Sequence, residues 1–455
     1  YISNTQETGP RILRILSIFE DASGLRINRT KSLVVPVTGK VTGEEWVAEF
    51  TVTRAPFRYL GIMISMDPIL AWTQNMTPLV RHIKSNLETW DDLPLNTLGR
   101  VAMVKMMILP KLLYVLQNCP RRIPASWCHT MNARLRSFVW GHKPARIAFA
   151  KSCQSTFEGG LGMVDIRLYY WATQLVVLND WLNGGWADST YARELGGLGL
   201  DGVMGLLYGD PMTRGVPEVT QAVIHAWRGA LKWMGWYKQI TAMTPLWVGS
   251  WLLQSVGLAG FGRWDTIGIS LLGDVTENGH VKDFATLQAE FDLHHTQQYR
   301  YFQLRHALAP YKQQILGLEE ASPLEAKLMN GALGKGGISQ IYRSLVINSP
   351  ECFRTLREKW ESLVGDLEEE DWREARMAPR ELAISSRFRI IQLKYLHMAY
   401  KSPMFLHRAY PSYPPGCPKC TCPKADFFHM VWGCPAIEKF WRKVGREMCR
   451  LRQRR

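Results

Sequence analysis

Between Leu93 and Phe157 the chain contains no aspartate or glutamate. Ten lysines and arginines stand in the same stretch, among them Arg100, Lys105, Lys111, Arg121 and Arg122. A block of one sign without counter-charges of its own attracts polyanions, of which nucleic acid is the simplest. Trp, Tyr and Phe interleave these cations, which a merely solvated or membrane-facing basic surface does not require. No secretory signal is visible in the sequence, and the chain starts Tyr1-Ile2-Ser3-Asn4 without an initiator Met, so it is expected to be a fragment. No long hydrophobic run occurs. The uncharged stretch between Lys238 and Arg263 is too rich in Gly, Ser, Gln, Thr and Pro to cross a bilayer, which takes about 20 predominantly apolar residues. No membrane association is expected. Cysteine is scarce, nine in 455 residues, which excludes a secreted disulfide framework. A reducing compartment, nucleus or cytoplasm, is expected instead.

What is present indicates a folded chain. Hydrophobic residues make up 46% and charged residues 21%, which separates the sequence from disordered ones, and its length accommodates roughly two to four domains. The net charge of +15 is concentrated. Besides the acid-free block, Pro379 to Arg455 holds 16 Lys and Arg against four acids, which leaves the rest of the chain slightly acidic.

Four of the cysteines fall within the last forty residues' densest motif, Cys417-x2-Cys420 followed by His429-x4-Cys434, with Cys422 between them. Tetrahedral Zn²⁺ needs two close ligand pairs joined by a loop. The first pair sits on a tight Pro-containing turn, and His429 and Cys434 are about a helical turn apart. One structural Zn²⁺ on Cys417, Cys420, His429 and Cys434 is predicted, with Cys422 as a spare thiol. Phe427, Phe428 and Trp432 stand close to Lys419, Lys424 and Lys439, and such a surface stacks bases and binds phosphates. Phe428 and Trp432 are read first as the small core of a metal-stapled module.

Periodicity predicts an α+β, predominantly α fold. A helix over Glu7–Ser23 capped by Gly24 and short strands at Ser32–Pro36 and Phe57–Ser65 form a small α+β piece over 1–70. A basic helical module over 71–150 contains helices at Thr73–Trp90, Leu95–Gln117 with Pro110 as a kink or break, and Pro124–Trp140. Gly159-Gly160-Leu161-Gly162 is a turn rather than a phosphate loop, since no Lys-Ser/Thr pair follows it. In a mostly helical region over 151–378, helices are expected at Tyr169–Leu182, within Asp283–Ala309 and at Pro323–Met329, while 183–280 is hard to place. Val364 to Glu374 reads as an acidic helix start or linker. The basic segment 379–455 adds an amphipathic helix over Ile384–Tyr400, the cysteine cluster and a terminal helix from Ala436.

Several stretches, in order, resemble one family. Gly24-Leu-Arg-Ile-Asn28-Arg-Thr-Lys31-Ser32 resembles the segment after the catalytic Asp-Asp strand in reverse transcriptases of non-LTR, LINE-type retrotransposons. Phe57-Arg58-Tyr59-Leu60-Gly61 resembles their primer-grip hairpin. Leu98-Gly99-Arg100 through Lys105, Leu109-Pro110-Lys111 and Phe138-Val139-Trp140-Gly141, followed by Gly159–Gly162, resemble their thumb. Tyr301 to His306, Leu406-His407-Arg408 and the cysteine cluster are similar to later motifs and the terminal zinc-binding segment. The resemblance implies a palm remnant, a thumb, a wrist-like helical region and a zinc module. It implies RNA-directed DNA synthesis in the intact enzyme, with RNA template, DNA primer and target DNA as partners. Lys31 would assist at the leaving pyrophosphate. Arg58, Tyr59, Leu60 and Gly61 would grip the primer, and Arg100, Lys105, Lys111, Arg121 and Arg122 would hold the duplex.

The same resemblance marks what is missing. No Tyr/Phe-Ala-Asp-Asp occurs, and the Mg²⁺-binding aspartates, the rest of the polymerase half and the amino-terminal endonuclease would precede Tyr1. Asp91-Asp92 is read as a solvated helix-end pair. The chain is therefore expected to be inactive alone. The alternatives are a non-catalytic zinc-containing nucleic-acid-binding protein derived from such an element, and a protein-interaction scaffold.

Overall fold

Helix α1 (Thr5–Ser23) begins where the Asn4 side chain accepts the Glu7 N–H, and ends at Gly24, whose φ of 71° turns its N–H onto the Glu20 carbonyl. These ends come from the computed structural model, which describes residues 4–36, 47–48, 50–119, 121–183, 199–209, 216–247, 252, 261–347 and 353–453. Half of the uncharged run between Lys238 and Arg263 lies outside the described residues, as do Tyr1 to Ser3, Arg454 and Arg455. Among the described residues no helix is long and apolar enough to cross a membrane.

The chain divides into two compact units, Tyr1–Asn86 and Leu87–Arg455. In the first, strand β1 (Leu33–Val34) pairs in parallel with β2 (Thr51–Val52). Strands β3 (Phe57–Tyr59) and β4 (Ile62–Ile64) form an antiparallel hairpin in the register Phe57↔Ile64, Arg58↔Met63 and Tyr59↔Ile62. Only Leu60 and Gly61 remain for the loop, with φ of 46° and 86°. Two successive positive φ values belong to the mirror-image turn that matches strand twist. The predicted strand over 57–65 is thus a hairpin. Helix α2 (Pro68–Asp91) carries Asn75, which accepts the Met63 N–H and donates to the Met63 carbonyl, both at 2.8 Å, and so holds β4.

The second unit begins with α3 (Thr97–Met103), capped by Asn96, then a π-helical turn Val104–Ile108 and α4 (Leu109–Asn118). Pro110 has no N–H and would crowd the carbonyl four residues back. The widened turn, in which the Leu109 N–H reaches back to Val104, passes the proline without ending the rod. Helix α5 (Ala125–Val139) follows. Helix α6 (Ile166–Asn183) is the centre of the unit. One apolar face is predicted for it, yet Leu168, Tyr170, Ala172, Leu175, Leu178 and Trp181 are all buried. A helix apolar all round has neighbours all round. α4, α5 and α7 (Glu218–Met234) supply them on three sides.

Beyond α7 a second core gathers Trp247, Phe261, Trp264 and Leu272 against α8 (Phe284–Phe291) and α9 (Gln298–Leu308). The helix expected over Asp283–Ala309 is broken at Asp292, which has φ of 51°. α10 (Pro323–Met329), opened by a Ser322/Glu325 capping box, and α11 (Gly337–Ile347) return to cover α6. Fully buried Asn179 of α6 ties that return by donating to the Leu328 and Gly331 carbonyls at 2.8 and 3.0 Å.

α12 (Arg354–Val364) and α13 (Glu369–Glu381) follow, the latter with Glu369, Glu370 and Asp371 in its first turn, where the helix dipole favours them. α13 and α14 (Ser386–Leu396) pack together, and α13 also rests on the turn before Gly159. That turn is structural, as expected. A Cβ on Gly160 would lie 2.0 Å from the Gln154 carbonyl oxygen. α15 (Pro403–Ala409) leads to the cysteine cluster, and α16 (Pro435–Gln453) closes the described chain. The fold is α+β and predominantly α. The predicted boundaries at 70/71, 150/151 and 378/379 do not coincide with the division between the two units.

Candidate metal centre and nucleic-acid interface

The segment 415–434 has almost no hydrocarbon core. Its buried cluster is Cys417, Ala425 and Cys434, packed by Cys420, Cys422, Met430 and Ile437. Backbone bonds from Cys417 N–H to the Cys422 carbonyl (2.9 Å) and from Ala425 N–H to the Pro415 carbonyl (2.8 Å) close a tight loop. That loop brings Cys417 and Cys420 to one point. Opposite it, Asp426 caps a short helical turn, and its Oδ1 accepts the His429 N–H at 2.7 Å. The turn swings His429 and Cys434 back onto the loop.

The ligand atoms of Cys417, Cys420, His429 and Cys434 all lie within 4.8 Å of one another, and the four can hold a metal ion. Cys417 Sγ and Cys434 Sγ are 3.8 Å apart, and Cys420 Sγ and His429 Nε2 are 3.4 Å apart. Tetrahedral zinc with ordinary Zn–S and Zn–N bonds has edges of about 3.8 and about 3.5 Å, so the donor set fits that ion. Cys422 is turned away, its thiol donating to the Lys424 carbonyl. Burial opposes a thiolate at Cys417, but the Lys419 N–H, His429 and the Cys420 N–H outweigh it and bring the thiol down to about 6. A thiol of that acidity offers the ionised sulfur that metals take.

Lys419 and Lys424 are exposed beside this centre. The aromatics divide. Phe427 packs edge-on to Trp360. Phe428 is half-buried, with its ring over Gly433. Trp432, expected in the core, is instead 56% exposed and leans on Trp441, whose indole N–H is held by the Val431 carbonyl at 2.8 Å. The ligands themselves fill the space a hydrophobic core would need, which leaves Trp432 outside.

In the first unit the hairpin tip presents Arg58, Tyr59, Leu60 and Gly61 to solvent. Leu60 is 75% exposed, so burial does not account for it, and its positive φ is uncommon for a residue other than glycine. Lys31 is exposed at the end of a turn in which the Asn28 side chain accepts the Lys31 N–H.

The acid-free block is not uniformly outward. Lys111 and Arg122 are exposed. Arg121 is half-buried and paired with Glu218 at 3.2 Å. Lys105 is exposed along its length, yet its ammonium lies so close over Gly162 that a Cβ there would approach it to 2.9 Å. Desolvation lowers its pKa. Arg100 points inward, and its side chain is 11% exposed. It donates to the Asp91 carboxylate (2.5 Å), the Asp91 carbonyl (3.1 Å) and the Phe138 carbonyl (2.9 Å), and its guanidinium covers the Phe138 ring at 4.7 Å. Its donors are engaged within the protein, so Arg100 is a brace between helices and not a phosphate contact.

Asp91 is likewise no solvated helix-end acid. Desolvation raises its pKa, but bonds to Arg100 and His142 prevail and hold the carboxyl below its usual value. The sequence alone did not connect Asp91 with His142, 51 residues away, because the packing of α3 to α5 that brings them together has no local motif. Asp426 was missed too, although an Asp three residues before the His is a helix-start signal. Among the described residues the Cys/His group is the one set of three or more such side chains close enough to hold an ion. No known protein-family model matches the chain.

Proposed function

We propose that this chain binds template–primer nucleic acid, as the post-catalytic part of an RNA-directed DNA polymerase of the non-LTR retrotransposon type, and that zinc staples its carboxy-terminal segment. The observation that carries the reading is the meeting of the two basic blocks. Asn96, which caps α3 in the first block, donates to Ser386 Oγ at 2.6 Å, at the first residue of α14 in the second. Segments 290 residues apart thereby meet where α14 reaches α3; Arg387 and Arg389 near the start of α14 are exposed, as are Lys111, Arg122, Arg134 and Arg136 of the acid-free block. Cations on helices follow a phosphate backbone without reading sequence. The exposed hairpin tip at Arg58–Gly61 is of the kind that presses on a primer's sugar-phosphates. The zinc role is structural, since three sulfurs and one imidazole close the coordination sphere.

Catalysis is not assigned to this chain. Asp91 is committed to Arg100 and His142, and among the described residues Asp92 belongs to no group of three or more side chains close enough to hold an ion.

The test is titration of an RNA–DNA duplex at several salt concentrations. Wild type should bind with a steep salt slope. Neutralising Lys111, Arg122, Arg134 and Arg136 together should flatten the slope by about one unit for each lost contact. An unchanged slope would reject the duplex surface. Metal analysis of protein purified without chelator should find about one zinc per chain.

A further inference from the structure

A second arginine is stacked like Arg100 but differently connected. Arg167, in the first turn of α6, lies between two indoles, 5.1 Å from the Trp171 ring centre and 4.6 Å from that of Trp233. Stacking occupies the faces of a guanidinium and leaves its five in-plane N–H donors to find acceptors at the edge. Among the described residues none of those donors meets a carboxylate within ion-pair distance. Asp165, two residues away and buried, faces the backbone instead. It accepts from Asn132 Nδ2 (3.0 Å) and from the N–H groups of Arg167 (2.8 Å) and Leu168 (3.3 Å), and so caps α6.

The stack is built into the fold. A Cβ on Gly229 would come 2.8 Å from the Trp171 ring, so only glycine leaves room for that indole. Trp233 is fixed by its indole N–H on the Leu345 carbonyl at 3.1 Å. Arg167 opens onto a cavity of about 670 Å³ between α5, α6, α7 and the end of α11. Its walls include Phe149, Leu168, Trp233 and Val346; Arg136, His129 and Asp165 line it too, the Asp165 carboxylate being taken up by Asn132 and the first N–H groups of α6. That volume is within the range of about 300–1,000 Å³ common to small-molecule sites.

We infer that this cavity takes a nucleotide 5′-phosphate, with the phosphate on the edge of Arg167 and the base against the apolar wall. A guanidinium edge matches phosphate oxygens two at a time, and pairing a pre-stacked guanidinium costs little further ordering. The choice of a nucleotide among phosphorylated ligands rests on the nucleic-acid reading above. The source is a free nucleotide or the 5′ end of a strand, and the two are separable.

The experiment uses the full chain with its metal. A 12-nucleotide single strand carrying a 5′-phosphate is compared with its 5′-hydroxyl form, and adenosine 5′-monophosphate is used as competitor. Binding roughly tenfold tighter for the phosphorylated strand is expected, on the strength of one charge-assisted bidentate contact. A preference for the phosphorylated strand assigns the site to strand ends. Competition by the mononucleotide without such a preference assigns it to free nucleotides. Arg167→Gln should abolish either effect. Ala133→Trp fills the mouth without touching Arg167 and should abolish it as well, which covers the case in which the Gln variant folds poorly. No phosphate preference together with no competition in the wild type overturns the inference, as does an effect that survives both variants. The same salt series with the RNA–DNA duplex separates the two ideas. Retained duplex binding without a phosphate effect rejects the pocket alone, and loss of both rejects the function too.

Discussion

The two basic blocks look alike as sequences and are used differently in the structure. In Leu93–Phe157 the charges are carried by helices that surround α6, and part of them turn inward. Arg100 braces Asp91 and Phe138, and Arg121 is paired with Glu218. In Pro379–Arg455 the terminal helix keeps Arg442, Lys443 and Arg446 exposed, and the core beside it consists of ligand sulfurs rather than hydrocarbon. A block without acids of its own still finds them elsewhere in the fold when enough core surrounds it. A small module with no such surroundings leaves its cations in water, and its four Cys and His side chains can hold a metal ion in place of a core.

The largest effect that would sharpen this contrast is metal removal. Zinc binding to such modules is folding free energy, on the order of 10 kcal/mol. Chelation is expected to strip hydrogen-exchange protection from the amides of Cys417 and Ala425 while Leu175 to Asn179 of α6 keep theirs. Equal loss in both regions would break the comparison. Next in size is Arg100→Leu, which strands Asp91 and two carbonyls and should lower urea-measured stability by about 2–4 kcal/mol. Arg122→Gln, in the same block but exposed, should change stability by less than about 0.5 kcal/mol.

A smaller effect lies where α14 meets the Gly159 turn. His397 Nε2 bonds the Gly159 carbonyl at 2.8 Å. Desolvation lowers its pKa to about 4, against the opposing pull of that carbonyl. As pH falls, the unfolded chain takes the proton near the usual histidine value of about 6.5, before the folded one does. The contribution of neutral His397 is therefore complete above about 6.5 and is lost between there and about 4, to the extent of roughly 3 kcal/mol. His397→Gln should flatten stability measured across that window. Smallest of all, Cys422→Ser should leave metal stoichiometry unchanged, whereas Cys434→Ser should lose the ion. Metal loss in both variants would return Cys422 to the ligand set.

Local signals were legible wherever neighbouring residues supply the physics. Gly24 ends α1, Pro323 starts α10 behind its capping box, and Pro110 deforms the helix that contains it. The four ligands were legible because metal geometry restricts spacing within a short segment. Trp432 was misplaced, since sequence does not say that cysteine side chains occupy the space of a core. The region 183–280 was left unplaced although it holds α7, whose buried Val223, Ile224, Trp227 and Leu231 recur at helical spacing; the many glycines in the region's sequence hid that signal.

By itself the sequence determined the predominantly helical α+β character, the concentration of positive charge in two blocks and the group Cys417, Cys420, His429 and Cys434, which can hold a metal ion. These depend on chain spacing of a few residues, on composition and on backbone chemistry. Only the tertiary structure decided that Arg100 is bonded inward while Arg167 keeps its edge open to a cavity, and that α3 meets α14. Whether a charge faces water, a carboxylate or a cavity depends on neighbours from distant parts of the chain, and no local pattern encodes them.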